Sequence, residues 1–523
     1  MSFQPGLNAP IGTVHHGTPP RLQGLVPWLI AIVVGWAVYR YDRVYGGFLG
    51  DEGYLWYGVR RLLAGEVPVR DFMSYELGRY YLAALPMWAT AQDGILALRA
   101  VLGAVAALGV GMALHALWRA RPPALATLVL QGIVFAAWMA PRHKVWDDTV
   151  SIGLVLIVQA FLGRPVPRRG FVLGVVVGGA AVIGQNHGIY GLTASALAWL
   201  LCWRMGQRPD TATVMAWAGG IVAGYAPVWL AWCLVPGYAA AAWDAIHYLL
   251  VEYKGVNLPL SLPWPWKEQV IGGGLQAWTF SAWFVALQLA LAGGVVTVAR
   301  RGREWMAAHT LACAALIVAL PYVNVVFSRA DTAHLAQAIA PLLMLVFALS
   351  AASRSSRRVA GVVACVVALG SLPLVLPLHP GWIGRHVAVA KVQVGMDWVK
   401  LPGFDRQMLS AGLQAPGPGG VLALPYYPGL SAALDERSPT WEIYPIFPRS
   451  QEFEQRELSR LEATPPRLVL VASAPIDGRP DLAYERTHPL IDAWIKARYI
   501  SVQSPAPAGI QALAPADGRP SMP

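Results

Sequence analysis

The segment at 24–54 reads GLVPWLIAIVVGWAVYRYDRVYGGFLGDEGY, an apolar run followed shortly afterwards by two adjacent acids. A run of roughly 20 apolar residues is long enough to cross the hydrocarbon core of a bilayer. The run lacks an A-x-A-like cleavage site, so we interpret it as a retained first span and not as a cleaved signal peptide. The segment predicts a membrane protein whose first span ends just before an acidic pair.

The composition of the whole chain agrees with a membrane location. Of its 523 residues, 56% are hydrophobic and only 13% are charged, whereas soluble domains carry about 25% charged residues. The net charge of +11 does not indicate nucleic-acid binding, because the basic residues lie between apolar stretches and form no basic domain. Four cysteines lie inside apolar stretches without a C-x-x-C pair, and we interpret them as core residues: Cys202, Cys233, Cys313 and Cys365.

Ten further apolar segments bring the predicted number of membrane spans to eleven. The segment at 80–91 is a candidate for one more short or re-entrant helix. The predicted fold class is an all-α polytopic membrane protein with a transmembrane domain over 25–380. The eleven predicted spans are 24–42, 93–118, 122–140, 147–163, 170–187, 188–203, 212–235, 276–299, 305–327, 334–352 and 358–378.

The distribution of arginine predicts the orientation of these spans. Cytoplasmic loops are enriched in Lys and Arg. With the N-terminal tail (1–24) in the cytoplasm, the loops on that side hold thirteen arginines and two acids, Asp210 and Glu304. Arg40 and Arg43, beyond the first span, are exceptions. The loops predicted to face outward are 43–92, 141–146, 236–275 and 328–333, and they hold most of the residues capable of chemistry.

The chain changes character after the last predicted span. Charges, turn residues and short strand-like runs at 420–425 and 467–472 predict a small α/β domain outside the membrane over 385–502. Residues 449–463 and 490–498 are predicted helices of this domain. The segment 503–523 is rich in Pro, Ala and Gly, and we predict that it is disordered.

The first outward loop carries the most distinctive motif. Asp51 and Glu52 are followed by an amphipathic stretch and then by G-x-x-P-x-R-D at 65–71. This order resembles the GT-C superfamily of membrane glycosyltransferases, and especially family-39-like bacterial members that use polyprenyl-phosphate sugars. Protein O-mannosyltransferases and the lipid A aminoarabinose transferase are of this type. The chain departs from the pattern at 77–79, where Leu-Gly-Arg replaces the Gly-Pro step of many relatives.

The resemblance implies that Asp51 supplies the catalytic carboxylate, with Glu52 as its neighbour. A sugar on a lipid phosphate already has a good leaving group, and a carboxylate can take the proton of the attacking hydroxyl. Both acids could instead cap the helix that follows them. In the same loop, Arg70, Asp71 and Arg79 are candidates for substrate binding.

The second outward loop reads P-R-H-K-V-W-D-D at 141–148. A lipid phosphate needs cationic donors, and this loop offers Arg142, His143 and Lys144. Anchoring of two helix ends at the interface is the alternative, with an acid capping the next helix. Asp147 and Asp148 are further substrate-binding candidates, and either could hold a divalent metal together with Asp51. The metal requirement is left open.

A third cluster, R-x-D-x-x-H, lies between two predicted spans. Its members Arg329, Asp331 and His334 are candidates for binding the donor phosphate or sugar, because three such groups beside lipid are costly unless paired or solvated. The alternative is a capping turn with a salt bridge. For the polar residues at 185–188, a tight turn is the preferred interpretation, and anchoring to the membrane is at least as good an account of 236–275 as a substrate rim.

These observations predict a glycosyltransferase of the bacterial inner membrane with its C-terminal domain outside the cytoplasm. It would move a sugar from a polyprenyl-phosphate carrier to a hydroxyl of a lipid, glycan or protein, in contact with membrane lipid and without nucleic acid. One alternative is a transporter or flippase of a lipid-linked saccharide, which would usually carry ionisable groups near the bilayer midplane. The other is an inactive GT-C scaffold that binds polyprenyl lipid.

Overall fold

The computed structural model describes residues 24–253, 257–352 and 356–516. The predicted cytoplasmic tail lies outside the described residues except for Gly24, as does the end of the chain from 517 onward.

Seventeen helices build the part of the chain that precedes the C-terminal domain in the described ranges. In chain order they are α1 (Val26–Asp42), α2 (Asp51–Leu63), α3 (Leu77–Ala89), α4 (Ile95–Ala120), α5 (Leu125–Trp138), α6 (Val145–Gly163), α7 (Pro167–Ile183), α8 (Gln185–Arg204), α9 (Thr211–Gly224), α10 (Ala226–Leu234), α11 (Tyr238–His247), α12 (Glu268–Ile271), α13 (Gly274–Arg300), α14 (Arg303–Ala308), α15 (Thr310–Ser328), α16 (Thr332–Ala351) and α17 (Ser356–Val375).

Each predicted span coincides with a helix or with successive helices. Six helical segments of the described chain are long and apolar enough to cross a membrane, and a seventh is obtained if α9 and α10, bent by 50°, count as one span. The predicted number of eleven is not confirmed. Helix α5, for example, has 14 residues, which is about 21 Å of helix against roughly 30 Å of hydrocarbon. The chain is a multi-pass helical membrane protein by these criteria.

The loops separate to two ends of the bundle as the arginine pattern predicts. At one end, Arg70 donates to the carbonyl of Pro236 (3.3 Å) and Asn257 donates to Ser328 (2.9 Å). At the other end, Arg121 donates to the carbonyl of Ala351 (2.8 Å). We call the first end, where the loops 43–92, 141–146, 236–275 and 328–333 meet, the site end. Its orientation across a membrane stays a prediction.

The C-terminal domain is α/β, as predicted. A hairpin of β1 and β2 precedes a four-stranded sheet of order β3-β4-β6-β5, in which only β3 and β4 are parallel. The elements are α18 (Pro380–His386), β1 (Val389–Val394), β2 (Asp397–Pro402), α19 (Gly403–Gln414), β3 (Val421–Leu424), α20 (Pro428–Leu434), α21 (Gln451–Ala463), β4 (Leu468–Ala472), α22 (Tyr484–Thr487), α23 (Pro489–Arg498), β5 (Tyr499–Ser501) and β6 (Ile510–Pro515).

The domain extends further than the sequence predicts. Strand β6 lies inside the segment 503–523 for which the composition predicts disorder. It pairs Leu513 with Val469 of β4 and Ala514 with Ile500 of β5. Its side chains at 512 and 513 are buried. The Pro, Ala and Gly residues around this short apolar strand dominate the composition of the segment, so composition alone predicts disorder. The strand pairs with an edge of β4 that would otherwise be open.

Candidate active site

Asp51 is the first residue of α2, which begins directly after Gly50. Its carboxylate does not cap the helix. Oδ1 accepts a hydrogen bond of 2.5 Å from the hydroxyl of Tyr444, and Oδ2 lies 3.5 Å from Nε2 of His143. The side chain keeps 36% of its surface exposed, so the carboxylate is held from two sides and remains open on another.

The adjacent acid Glu52 faces a different environment. Its side chain is 6% exposed and binds two arginines. Arg99 donates to both carboxylate oxygens at 2.9 and 2.8 Å, and Arg142 approaches both at 2.6 and 2.9 Å. Glu52 and Arg142, predicted to serve catalysis and phosphate binding, therefore engage each other in a buried ionic cluster that joins α2 to α4 and to the turn before α6.

Gly53 brings the C-terminal domain onto Asp51. A Cβ at Gly53 would collide with the carbonyl of Phe48 and with the backbone of Gly429 at the start of α20. The amide of Gly429 also donates to the carbonyl of Leu49 (3.0 Å). Because only glycine permits this approach, α2 and α20 pack backbone to backbone, and the segment that carries Tyr444 is held beside the carboxylate.

The pKa values of the two acids reflect these contacts. Burial raises the pKa of Asp51, but His143, Lys144 and the Tyr444 hydroxyl outweigh it and hold that pKa well below its ordinary value. Burial likewise opposes ionisation of Glu52, and Arg142 and Arg99 lower its pKa to about 2. Burial and the charge of Asp51 raise the pKa of Tyr444 well above its ordinary value. Asp51 is thus a carboxylate with a neutral phenol donor.

Aromatic rings and two cations line the space beside Asp51. The ring of Tyr54 contacts those of Tyr75 and Tyr444, with centroids 4.7 and 5.3 Å apart. Tyr75 is 38% exposed, and its ring receives the guanidinium of Arg79 at 4.8 Å and the ammonium of Lys144 at 5.7 Å. Within the described part of the chain, the Lys144 ammonium has no hydrogen bond or ion pair. Its positive charge acts on the carboxylates of Asp147 and Asp51.

The two acids at the start of α6 are buried. Asp147 Oδ1 lies 2.8 Å from Nε2 of His187, whose Nδ1 lies 2.8 Å from the hydroxyl of Tyr322. The other oxygen of Asp147 and both oxygens of Asp148 have no hydrogen-bond partner in the described ranges. Neither acid contacts Asp51, and the described residues contain no group of three or more His, Cys, Asp or Glu side chains that could hold a metal ion.

Arg70 and Asp71 pair with each other. Two hydrogen bonds of 2.8 and 2.7 Å join the guanidinium to the carboxylate, and Asp71 also accepts from the amide of Val67 (2.7 Å). These bonds stabilise the loop that contains the pair, and neither residue is among the groups that contact Asp51. Arg79 is buried and donates to the carbonyl of Ile183 (3.2 Å) at the end of α7.

The R-x-D-x-x-H cluster forms a turn that is tied to the C-terminal domain. Asp331 caps α16 by accepting from the amide of His334 (2.8 Å) and lies 2.8 Å from its Nδ1. Arg329 donates to Asp331 (2.8 Å) and, through both terminal nitrogens, to Asp477 (2.7 and 2.9 Å). The planar fork that was predicted to bind phosphate is occupied by Asp477.

An apolar cavity of about 710 Å³ lies between α3, α6, α7 and α10. Its wall includes Leu77, Gly78 and Ile183. Arg79 is the residue directly after Gly78 of this wall. It donates a hydrogen bond to the carbonyl of Ile183, and its guanidinium stacks on the ring of Tyr75. The cavity therefore reaches the neighbourhood of the cationic and aromatic groups beside Asp51.

Several residues of the site do not stand out in the sequence. Tyr444 belongs to the predicted soluble domain, and its only local signal is an aromatic-rich run, W-E-I-Y-P at 441–445. His187 was assigned to a tight turn but lies in the first turn of α8 and contacts Asp147. Asp477 lies in a loop of the C-terminal domain with a positive φ of 55°.

Together these features define a multi-pass helical membrane protein with a carboxylate site at one end of its bundle, covered by an α/β domain. No protein-family model and no curated protein matches the chain. Its structure is similar to that of ArnT from Cupriavidus metallidurans bound to undecaprenyl phosphate, at 14% identity over 95% of this chain and 98% of that one, with a TM-score of 0.48.

The oligosaccharyltransferase of Archaeoglobus fulgidus is similar as well. In its apo form it shares 11% identity over 95% of this chain and 75% of that one, with a TM-score of 0.48. The same enzyme in complex with an inhibitory peptide and a dolichol-phosphate shares 10% identity over 96% and 75%, with a TM-score of 0.45.

Proposed function

We propose that the chain is a membrane glycosyltransferase that moves a sugar from a polyprenyl-phosphate carrier to a hydroxyl acceptor, with Asp51 as the general base. One observation carries this proposal. The Asp51 carboxylate, whose pKa lies well below its ordinary value, is hydrogen-bonded by Tyr444 and still 36% exposed, and the Lys144 ammonium beside it makes no hydrogen bond or short ion pair among the described residues. A structural carboxylate would be fully paired, as Glu52 is.

The chemistry follows from this arrangement. The acceptor hydroxyl oxygen forms a bond to the anomeric carbon, and the bond from that carbon to the carrier phosphate breaks. Asp51 takes the hydroxyl proton, and the bonding electron pair leaves with the phosphate. A low pKa keeps Asp51 unprotonated before the reaction but also makes it a weak base. Proton transfer to Asp51 therefore occurs late, when bonding to the anomeric carbon has made the hydroxyl strongly acidic.

Lys144 is the group best placed to bind the carrier phosphate. Arg142 and Arg329 are also candidates by sequence, but their donors are directed to Glu52 and Asp477. A cation near departing phosphate stabilises the charge that develops there. The apolar cavity beside Arg79 offers a place for the prenyl chain of the carrier, because apolar walls favour apolar ligands.

The location and the acceptor are part of the same proposal. Arginine-rich loops at the opposite end of the bundle favour a cytoplasmic position for that end, which would place Asp51 at the outer face of the bacterial inner membrane. The acceptor would be a lipid, a glycan or a protein. A transporter is less favoured because the buried charges Arg99, Asp147 and Asp148 lie in the first turns of α4 and α6, away from the middle of the helices.

Transfer from a synthetic polyprenyl-phosphate sugar to a mixture of membrane lipids, glycans and peptides tests the function. The purified chain should form a new glycosidic bond and release polyprenyl phosphate. Asp51→Asn should lower the rate by roughly 10²–10⁴-fold while the protein stays folded. Asp492→Asn is the matched control, because that carboxylate pairs with Lys496 on the surface of the C-terminal domain.

The alternatives give different results in this experiment. A flippase would move the lipid-linked sugar between leaflets of a vesicle without forming a new bond. An inactive scaffold would bind the donor without either outcome. Full activity of Asp51→Asn would remove the base assignment and leave the transferase class intact.

A further inference from the structure

The C-terminal domain exposes large apolar side chains mainly where it meets the bundle. Five of the seven that it exposes in the described ranges lie between 383 and 404, and the other two are Leu413 and Ile500. The five are Ile383, Val387, Met396, Trp398 and Phe404. Met396, at the turn of the β1–β2 hairpin, is 76% exposed. Exposed apolar side chains that are concentrated in one part of a surface mark an interaction site, whereas single scattered ones do not.

The hairpin turn is level with the beginning of a predicted span. The carboxylate of Asp397, next to Met396, accepts from the amide of Leu96 (2.8 Å), the second residue of α4. Further along β2, the amide of Lys400 donates to the carbonyl of Val44 (2.6 Å), just beyond the end of α1. Both contacts hold the hairpin at the ends of the bundle helices, where a bilayer presents its headgroups.

The two faces of the hairpin differ in character. Val399 and Leu401 point to one face and are buried in the core. Lys391 and Trp398 lie on the other face and interact, with the ammonium 4.7 Å from the ring centroid. A tryptophan paired with a cation is typical of the membrane interface, where the ring sits among headgroups.

The charge around the hairpin is positive. Residues 380–406 include four cations that are always charged at neutral pH: Arg385, Lys391, Lys400 and Arg406. The segment holds two acids, Asp397 and Asp405, of which Asp405 is buried, so its formal charge remains positive. Clustered cations beside a membrane span attract anionic headgroups.

From this geometry we infer that α18 and the β1–β2 hairpin form a lipid-docking surface. Anionic headgroups bind its cations, and Met396 and Trp398 enter the boundary between headgroups and acyl chains. The C-terminal domain is then held by the bilayer as well as by the bundle. A second copy of the chain is the other occupant that an exposed apolar turn could take, and the experiment below separates the two.

The test uses the full chain in nanodiscs of phosphatidylcholine and phosphatidylglycerol. Its four native cysteines are replaced by alanine, and one environment-sensitive fluorophore is attached through Met396→Cys. The matched control carries the label through Leu413→Cys, a similarly exposed position on α19 of the same domain. Trp398→Cys provides a second labelled position on the hairpin, should Met396→Cys fail to fold.

Nitroxide placed near the lipid headgroup should quench the label at 396 more than the label at 413, on the order of threefold for a residue seated at the interface. Aqueous iodide should show the reverse order. Replacing phosphatidylglycerol by phosphatidylcholine, or introducing Lys391→Gln, should reduce the lipid quenching at 396.

Three results would overturn the inference. One is strong iodide quenching at 396 with no lipid quenching, which would place the turn in water. Another is protection of 396 from both quenchers, as contact with a second copy would give. The third is lipid quenching that does not respond to lipid charge or to Lys391→Gln, because anionic headgroups would then not be the ligand.

Discussion

The hydroxyl of Tyr444 lies 2.5 Å from Oδ1 of Asp51, so a side chain of the C-terminal domain hydrogen-bonds the carboxylate at the start of α2. The site is therefore shared by two parts of the chain, with Gly53 and Gly429 in backbone contact beneath it. This bond fixes one carboxylate oxygen and stabilises the ionised form. The C-terminal domain thus exerts part of the control over the protonation of the proposed base, after His143 and Lys144.

Tyr444→Phe tests that control through the pH dependence of transfer. Loss of the hydroxyl removes one of the interactions that lower the pKa of Asp51, so that pKa rises. A general base must be unprotonated, so the acidic limb of the kcat/KM profile should move to higher pH. Tyr427→Phe is the control, since the Tyr427 ring contacts Tyr426 and Phe404 and not Asp51. A purely structural role for Tyr444 predicts a lower rate at every pH with the limb unmoved.

Glu52→Gln should destabilise the protein more than it alters the chemistry. Removing the charge leaves Arg99 and Arg142 buried without their partner, which costs about 3–5 kcal/mol when a buried ion pair is broken. Thermal unfolding in detergent measures this loss, and Glu452→Gln on the exposed start of α21 is the control. If the Glu52→Gln protein is as stable as the wild type but inactive, the result would instead indicate a catalytic role for Glu52.

The ionic cluster of Glu52 with Arg99 and Arg142 should make the free energy of unfolding depend on pH. The pKa of Glu52 falls from an ordinary value of 4.5 to about 2 on folding. Its contribution is therefore complete above about pH 4.5 and is lost as the pH falls toward 2. The difference in melting temperature between the wild type and Glu52→Gln should shrink across this window. A constant difference across it would contradict the assignment.

The sequence predicts the helices and the loops at the site end better than it predicts the hydrogen bonds and ion pairs within the site. Long apolar segments locate the helices, because period and length are local properties. The loops that meet at the site end follow from alternating connections. The partners of Asp51 and Arg329 do not follow, because Tyr444 and Asp477 are distant in sequence and are brought there by packing of the C-terminal domain.

One part of the pairing was within reach of the sequence. Successive residues on a helix point about 100° apart, so Asp51 and Glu52 at the start of a helix are expected to meet different surroundings. The acid that faces the bundle needs buried cations as partners, and Glu52 forms ion pairs with Arg99 and Arg142. Which of the two acids turned inward depended on the contact between Gly53 and Gly429, which no local pattern reveals.

Arg329 should stabilise the contact between the helix bundle and the C-terminal domain through its ion pair with Asp477. We expect Arg329→Ala and Asp477→Ala each to lower the melting temperature. Their effects should not add, because both remove the same bidentate pair, and coupling between contacting residues is about 0.5–3 kcal/mol. A double-mutant cycle of thermal unfolding measures this, with Arg498→Ala, which pairs with the exposed Glu462, as the control. Loss of donor binding in Arg329→Ala with normal behaviour of Asp477→Ala would restore the phosphate assignment.

Lys144 is the last and most direct test of donor binding. Its ammonium lies 5.7 Å from the centroid of the Tyr75 ring, and its charge contributes to the low pKa of Asp51. A carrier phosphate bound beside Asp51 would meet this cation first. Lys144→Gln should therefore raise the KM for the lipid donor and lower kcat, with a total loss of about 2–4 kcal/mol of transition-state stabilisation. The KM for the acceptor should stay unchanged.

Two further variants separate charge from packing at this position. Lys144→Arg keeps a cation and should recover part of the activity, whereas Lys144→Met keeps the aliphatic stem and should not. Lys496→Gln, an exposed lysine of the C-terminal domain, is the matched control. If Lys144 only packs on Tyr75, Lys144→Met would transfer sugar at the normal rate with a normal donor KM. That result would remove Lys144 from the donor site, and Arg79, which stacks on the same ring, would become the cation to test.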